Sequence, residues 1–434
     1  MNKRARCGAR GDEEQMMVNL IILVAGIAVY AGYGIPVLYL LAAALFGYLA
    51  GRLIPRHRWV MWISTAVLAL PLLFLRAQHW LPWQSVIAPM GISYFTLQII
   101  AYHADLYRGR YEPEKNLVRF GLFVTYLPHI FIGPIEPYPR MRAALEKRHM
   151  SGDNFLKGAV RCLWGLFKKL VIAARLGVIV SAISAEPEQY NGAYALAAML
   201  LYAVQLYADF SGGIDIVLGV SRMLGIRMSE NFDAPYFSQS IQEFWRRWHI
   251  TLGAWLREYV YIPLGGSRRG KVRKFLNTMA TFLVSGIWHG ENYLLWGLMH
   301  GLFVSFGEKC KTKCRTLNRI VTFLLVSFLW SFFIWPDTIT VLWMAGSVFT
   351  VFNYDVLFSG IGGMGLAAGD WIVMGGACLL LWLYDWKSRS LNARFCAFGP
   401  AAKVGVIGLL ALAVLTFGMY GYGFTASEFI YSRF

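Results

Sequence analysis

Long runs of apolar residues separated by short polar connections dominate the chain. Runs at 18–50, 59–76, 79–103, 120–135, 158–184, 193–220, 275–306, 319–335, 341–358, 371–386 and 402–423 each suit one span, two spans or part of one. A helix needs about 20 mostly apolar residues to cross a hydrocarbon layer roughly 30 Å thick, because each residue rises about 1.5 Å. The pattern predicts about 10–12 membrane-spanning or part-spanning segments. Ten-residue alternation of the β-barrel kind is absent, and backbone amides in lipid must be satisfied internally, so the segments are read as helices. The expected class is an all-α, multi-pass protein of the cell membrane. Residues 1–17 are read as a polar, basic tail, cytoplasmic or dispensable, and 18–434 as a single domain whose first span is not cleaved.

Three regions break the apolar pattern. In Tyr126-Leu-Pro-His-Ile-Phe-Ile-Gly-Pro-Ile-Glu-Pro-Tyr-Pro-Arg140, four prolines interrupt an apolar stretch. Broken backbone at membrane depth survives only when buried in protein or lining a cavity, so a re-entrant element is expected. In Gln205-Leu-Tyr-Ala-Asp-Phe-Ser-Gly-Gly-Ile-Asp215, two carboxylates stand inside a long apolar run. Each would cost about 2.5–3.5 kcal/mol in lipid, so Asp209 and Asp215 are expected to pair with cations or amides, or to support a site.

The third region, 240–308, is the richest in polar groups. Glu243-Phe-Trp-Arg-Arg-Trp-His249 leads into a stretch that sets Trp245, Trp248, Trp255 and Tyr259 at helical spacing, which predicts a helix lying in the membrane interface. Pro263-Leu-Gly-Gly-Ser-Arg-Arg-Gly-Lys271 is a tight cationic loop without nucleotide-loop spacing; anionic lipid or a phosphate would suit it. His289 and His300 follow in an apolar run. On one unbroken helix they would share a face about 16 Å apart, three turns along. Neither fits a zinc spacing.

Composition agrees with a membrane environment: 57% of residues are hydrophobic and 15% charged, against about 45–50% and about 25% in soluble domains. The 41 basic and 24 acidic residues give +17. The cations cluster in short connections, among them Arg52 to Arg58, Arg108 to Arg119, Arg246 to Lys274 and Lys309 to Arg319. This is the positive-inside pattern rather than a nucleic-acid surface. The six cysteines suggest neither a disulfide framework nor a metal site.

An imidazole has an unperturbed pKa of about 6.5 and can take a proton from a hydroxyl near neutral pH. That chemistry suits acyl transfer from a thioester to an alcohol, and no serine-hydrolase elbow is present. Taken together, Asp209-Phe-Ser-Gly-Gly-Ile-Asp215, Asn231-Phe-Asp-Ala-Pro-Tyr236, Glu243 to His249, Tyr261-Ile-Pro-Leu-Gly-Gly266 and Gly286-Ile-Trp-His289-Gly290 resemble the membrane-bound O-acyltransferase family. Gly91-Ile-Ser-Tyr-Phe95, Pro128 to Pro134 and the Phe429 to Phe434 tail resemble it too. The chain departs from the family pattern at Gly213-Ile214, where Tyr-Ser is usual, and at Glu258, where Asp is usual.

The resemblance implies helices in a ring around a central funnel or tunnel, with His289 as the catalytic histidine and His249 as a second one. It also implies a donor or tunnel set of Trp245, Arg246, Arg247, Trp288 and Asn292, supported by Asp209, Asp215 and His300. No bound cofactor or metal is implied. The donor would be a cytoplasmic acyl thioester, acetyl-CoA or an acyl carrier protein. The other partners would be an extracellular or membrane-anchored acetyl-transferring protein and a polysaccharide acceptor. The branch that O-acetylates alginate and other polysaccharides fits best, and D-alanyl transfer to teichoic acid is the near alternative. A polysaccharide exporter or transporter is the alternative of another class, and the internal repeats usual there are not seen.

Overall fold

The computed structural model describes residues 3–76, 88–290, 293–307, 311–335, 337–357 and 360–420. Its elements are helical, and no strand occurs among the described residues; Phe232 and Trp248 form an isolated antiparallel bridge. The helices α1 (Glu13–Ala31 by its apolar part), α2 (Pro36–Leu53) and three more at Ala193–Met223, Arg315–Phe333 and Pro400–Phe417 are long and apolar enough to cross a membrane. Val60–Arg76, Leu117–Ile132, Leu294–Phe306 and Thr338–Thr350 are shorter and apolar. Large apolar side chains such as Leu45, Leu49, Leu409 and Leu412 are exposed on them, as lipid-facing surfaces require. The protein is thus an all-α, multi-pass membrane protein. The first helix starts at Lys3, ahead of its span-capable part, which begins at Glu13.

The chain divides into two compact units, residues 1–155 with 220–229 and residues 156–219 with 230–434. In the first, α1 and α2 are followed by α3 (Val60–Arg76), α4 (Ile92–Tyr107), α5 (Leu117–Thr125), α6 (Leu127–Ile132) and α7 (Tyr138–Glu146). The proline-rich segment is broken as expected: α6 lasts six residues and the backbone is non-helical up to α7. That break is buried in protein, and the Glu136 carboxylate closes it by accepting from the Ser229 amide and hydroxyl.

The connection from α4 to α5 is held by Glu114. It accepts hydrogen bonds from the Tyr138 hydroxyl, from the amides of Lys115 and Asn116, and from Arg119 at 3.2 Å. Burial pushes the Glu114 carboxyl up, but these donors outweigh it and hold it below the usual carboxylate range.

In the second unit, α8 (Gly152–Phe167) passes through a π-helical stretch, Lys168–Ala173, into α9 (Ala174–Ala185), and α10 (Ala193–Met223) follows. A Cβ on Gly212 of α10 would lie 2.8 Å from the Gly165 carbonyl oxygen, so the glycine pair lets α8 and α10 come close. Beyond them come α11 (Ile241–Arg247), α12 (Ile250–Leu256), α13 (Gly270–His289), α14 (Leu294–Phe306), α15 (Arg315–Trp330), α16 (Thr338–Thr350), α17 (Ala368–Ala397) and α18 (Pro400–Phe417).

Two expectations are corrected here. The aromatic stripe over 243–261 is not one interfacial helix: the chain breaks at Trp248 and His249, and Trp248 is fully buried. Its indole has more to gain in the aromatic core of this unit than at a headgroup boundary. Nor do His289 and His300 lie on one helix. The helix ends at His289, and Gly290, at φ 137°, takes a conformation closed to side chains bearing a Cβ.

Candidate active site

The Gly290 break folds α13 and α14 into a hairpin. Their contact is tight because Gly286 and Gly297 face the partner backbone: a Cβ would lie 2.6 Å from the Tyr293 carbonyl oxygen at Gly286, and 2.5 Å from that of Phe282 at Gly297. The approach brings His289 and His300 onto the same ring, Trp296, whose centroid is 5.2 Å from the first imidazole and 4.6 Å from the second. His289 is also packed by Trp288 at 4.6 Å and Phe333 at 5.5 Å. Both imidazoles are buried. His300 Nδ1 accepts the Trp245 indole N–H at 3.1 Å, which fixes its hydrogen on the other nitrogen. The buried indole N–H groups of Trp288 and Trp296 have no hydrogen-bond partner among the described residues. An imidazole packed among aromatic rings can accept a proton, and indole N–H groups without a partner can stabilise a developing oxyanion.

His249 reaches the same aromatic system from another side. Its backbone is left-handed, at φ 45° and ψ 55°, a costly region for a residue with a Cβ. Asn231 over-determines it: its carbonyl oxygen accepts from the Ile250 amide at 3.0 Å, and its side-chain oxygen from the Thr251 amide and hydroxyl at 3.0 and 2.9 Å. His249 Nδ1 lies 3.3 Å from that same oxygen and its ring packs on Phe210 at 4.9 Å. From Phe210, ring contacts run through Trp248 and Trp330 to Trp296 and so to His289.

The two carboxylates of α10 are paired. Asp215 meets Lys168 at 2.7 Å and Arg161 at 2.9 Å, and Asp209 meets Lys169 at 2.6 Å. Lys168 also donates to Ser211, and Arg161 to Glu230. The lysines are consecutive, and an α-helix would turn them about 100° apart. The π-helical stretch that begins at Lys168 widens the turn, and both lysines reach α10.

The sequence profile of the membrane-bound O-acyltransferase family matches residues 44–352. The chain belongs to that family. A probable alginate O-acetylase from Pseudomonas fluorescens is 36% identical over 333 residues, 73% of this chain and 67% of that protein. A peptidoglycan O-acetyltransferase from Helicobacter pylori is 32% identical over 285 residues, 57% of this chain and 54% of the relative. A teichoic acid D-alanyltransferase from Bacillus subtilis is 28% identical over 352 residues, 74% of this chain and 88% of the relative. Against further alginate O-acetylases the match spans about half of their length, 49% and 52% in two of them.

Within this family member, the structure gathers His289, His300 and Trp245 around Trp296, with Trp288 packed on the His289 ring. It sets Asp209 and Asp215 apart in their own ion pairs. Arg246 is exposed, whereas Arg247 pairs with Glu243 at 2.6 Å. In the cationic loop, Arg268, Arg269 and Lys271 are exposed, and Asn277 and Arg273 hold the loop by its Gly266 and Leu264 carbonyls. Asn292 and the Phe429 to Phe434 tail lie outside the described residues.

Sequence reasoning missed Trp296, Asn231, Lys168 and Lys169. Trp296 looks like ordinary apolar filling of a span. Asn231 stood inside a quoted motif without a role, and the lysines sit where a π-helical stretch, invisible to helical periodicity, redirects them.

Proposed function

We propose that the chain is a membrane O-acyltransferase that moves an acetyl group from a cytoplasmic thioester toward a cell-surface polysaccharide, with His289 as general base. The observation that carries this reading is His289 itself, buried against Trp296 beside two indole N–H groups that have no hydrogen-bond partner among the described residues. The imidazole takes the proton of the acceptor hydroxyl as its oxygen attacks the thioester carbonyl. The tetrahedral oxyanion is held by the Trp296 N–H. Collapse breaks the carbon–sulfur bond, and the imidazolium returns its proton to the leaving thiolate. Acetyl-CoA or an acyl carrier protein would supply the thioester. A membrane-anchored or extracellular acetyl-transferring protein would receive the group before the polymer. His249 and the Trp245 to Arg247 segment line the approach.

The O-acetyl-transferring relatives, at 36% and 32% identity, favour acetyl over the D-alanyl relatives at 28%. The test is a deletion strain complemented with wild-type protein or His289→Ala, with ester-linked groups on the surface polymer measured by mass spectrometry. Acetyl esters restored by wild type and absent with the variant are expected. Loss of D-alanyl esters instead would assign the donor group to the alternative, and unchanged esters would overturn the reading.

A further inference from the structure

Residues of the turn 233–239 and of α11, α15 and α17 line a cavity of about 390 Å³ in the second unit, a size typical of small-molecule and headgroup sites. Arg247 and Glu243 face it but neutralise each other. The other two cations are differently placed. Arg319 stands over the Phe237 ring at 5.9 Å and Lys387 over the Trp386 ring at 5.3 Å, and neither forms an ion pair among the described residues. Asp233 and Asp385 face the same space. Two cationic donors and two carboxylates on one cavity complement a ligand that carries both a phosphate and an ammonium. A polyanion such as a nucleotide would set surplus negative charge beside both carboxylates.

The cavity's helices carry exposed apolar surface. On α15, Ile320 is 51% and Leu324 47% exposed, and on α17, Trp382 is 50% and Trp386 56% exposed. Trp382 and Trp386 pack at 5.3 Å, and tryptophans of this kind gather where the hydrocarbon layer gives way to headgroups.

We propose that this cavity holds the headgroup of a zwitterionic phospholipid bearing a primary ammonium. The phosphate would rest on Arg319 and Lys387, the ammonium between Asp233 and Asp385, and the acyl chains on the exposed faces of α15 and α17. A primary ammonium donates hydrogen bonds to carboxylates, which a quaternary one cannot. The proposal is independent of the acyl-transfer reading.

The test is native mass spectrometry of the full-length protein in micelles containing equal amounts of phosphatidylethanolamine, phosphatidylcholine and phosphatidylglycerol. Phosphatidylethanolamine adducts about tenfold above the others are expected, the worth of one charge-assisted contact. Arg319→Gln with Lys387→Gln should abolish the preference, and Lys387→Arg should keep it. Equal retention of the three lipids would overturn the proposal, as would a preference for phosphatidylglycerol, which the net charge of +17 alone would produce. Displacement of the bound lipid by coenzyme A would give the cavity to the donor and overturn it as well. Should the double variant not insert, the wild-type competition still decides.

Discussion

Two polar clusters sit inside apolar helices of the same unit, and they are built on opposite terms. The two carboxylates of α10 each have a cation: Asp215 has Lys168 and Arg161, and Asp209 has Lys169. At the α13–α14 hairpin the polar groups are imidazoles and indoles wrapped in rings, and the Trp288 and Trp296 N–H groups lack a hydrogen-bond partner among the described residues. Closed ion pairs hold helices together and leave nothing to offer a ligand. Buried donors without a partner cost stability unless something else, a reacting oxygen for instance, supplies an acceptor. Polarity at membrane depth thus divides into groups already satisfied and groups without a partner, and the reaction centre proposed above draws on the second kind.

The largest expected effect breaks the second cluster. His289→Ala should lower acyl transfer by about 10²–10⁴-fold, the usual worth of a general base, while leaving insertion and thermal stability near wild type. Activity above a tenth of wild type would remove His289 from the mechanism. The matching cut in the first cluster is Lys168→Met, which leaves Asp215 with Arg161 as its one remaining cation and should cost about 1.5–3 kcal/mol of stability, the worth of a charge-assisted hydrogen bond, read as a lowered unfolding midpoint in detergent. Turnover per folded molecule should stay close to wild type, and a selective loss of turnover would erase the contrast between the two clusters.

Trp296→Phe keeps a ring against both histidines and deletes one N–H. Turnover should fall by about 10²–10³-fold, the cost of one oxyanion donor, with little change in KM. A variant of unchanged turnover would make Trp296 packing only.

The smallest effect lies in the first unit, where Glu114 offers a satisfied carboxylate for reference. Its carboxyl is held below the usual range, so its contribution to stability is complete above the unfolded value of about 4.3 and fades as pH falls further through the folded value. Glu114→Gln should flatten the acid limb of a stability-against-pH profile and leave neutral turnover unchanged.

Much of this was legible beforehand, for physical reasons that differ by element. Runs long enough to span announced helices, and four prolines between Tyr126 and Arg140 announced a buried break. Asp209 and Asp215 had to find cations because charges in lipid are costly. The motif resemblance named the family from a few dozen residues. The hairpin was also within reach, since a glycine directly after a helical run is a stop signal, and Gly290 follows His289. Reading the helix through Gly290 separated two histidines that in fact share Trp296. Residues that act by touching rings far along the chain, such as Trp248 and Trp330, leave no local trace in sequence. The left-handed turn at His249 is set by Asn231, 18 residues upstream, and no local pattern encodes that constraint.

The π-helical stretch at Lys168–Ala173 has a consequence for how this helix can vary. It holds more residues per turn than an α-helix, so shortening it by one residue would restore α-helical winding and rotate the preceding turns by about 100° relative to the rest. Arg161 and Lys168 would swing away from α10, and Asp215 would be left charged inside the unit. The helix can exchange one apolar side chain for another at modest cost, yet it cannot gain or lose a single residue without opening the charge cluster. Its length is fixed by electrostatics more strictly than its composition.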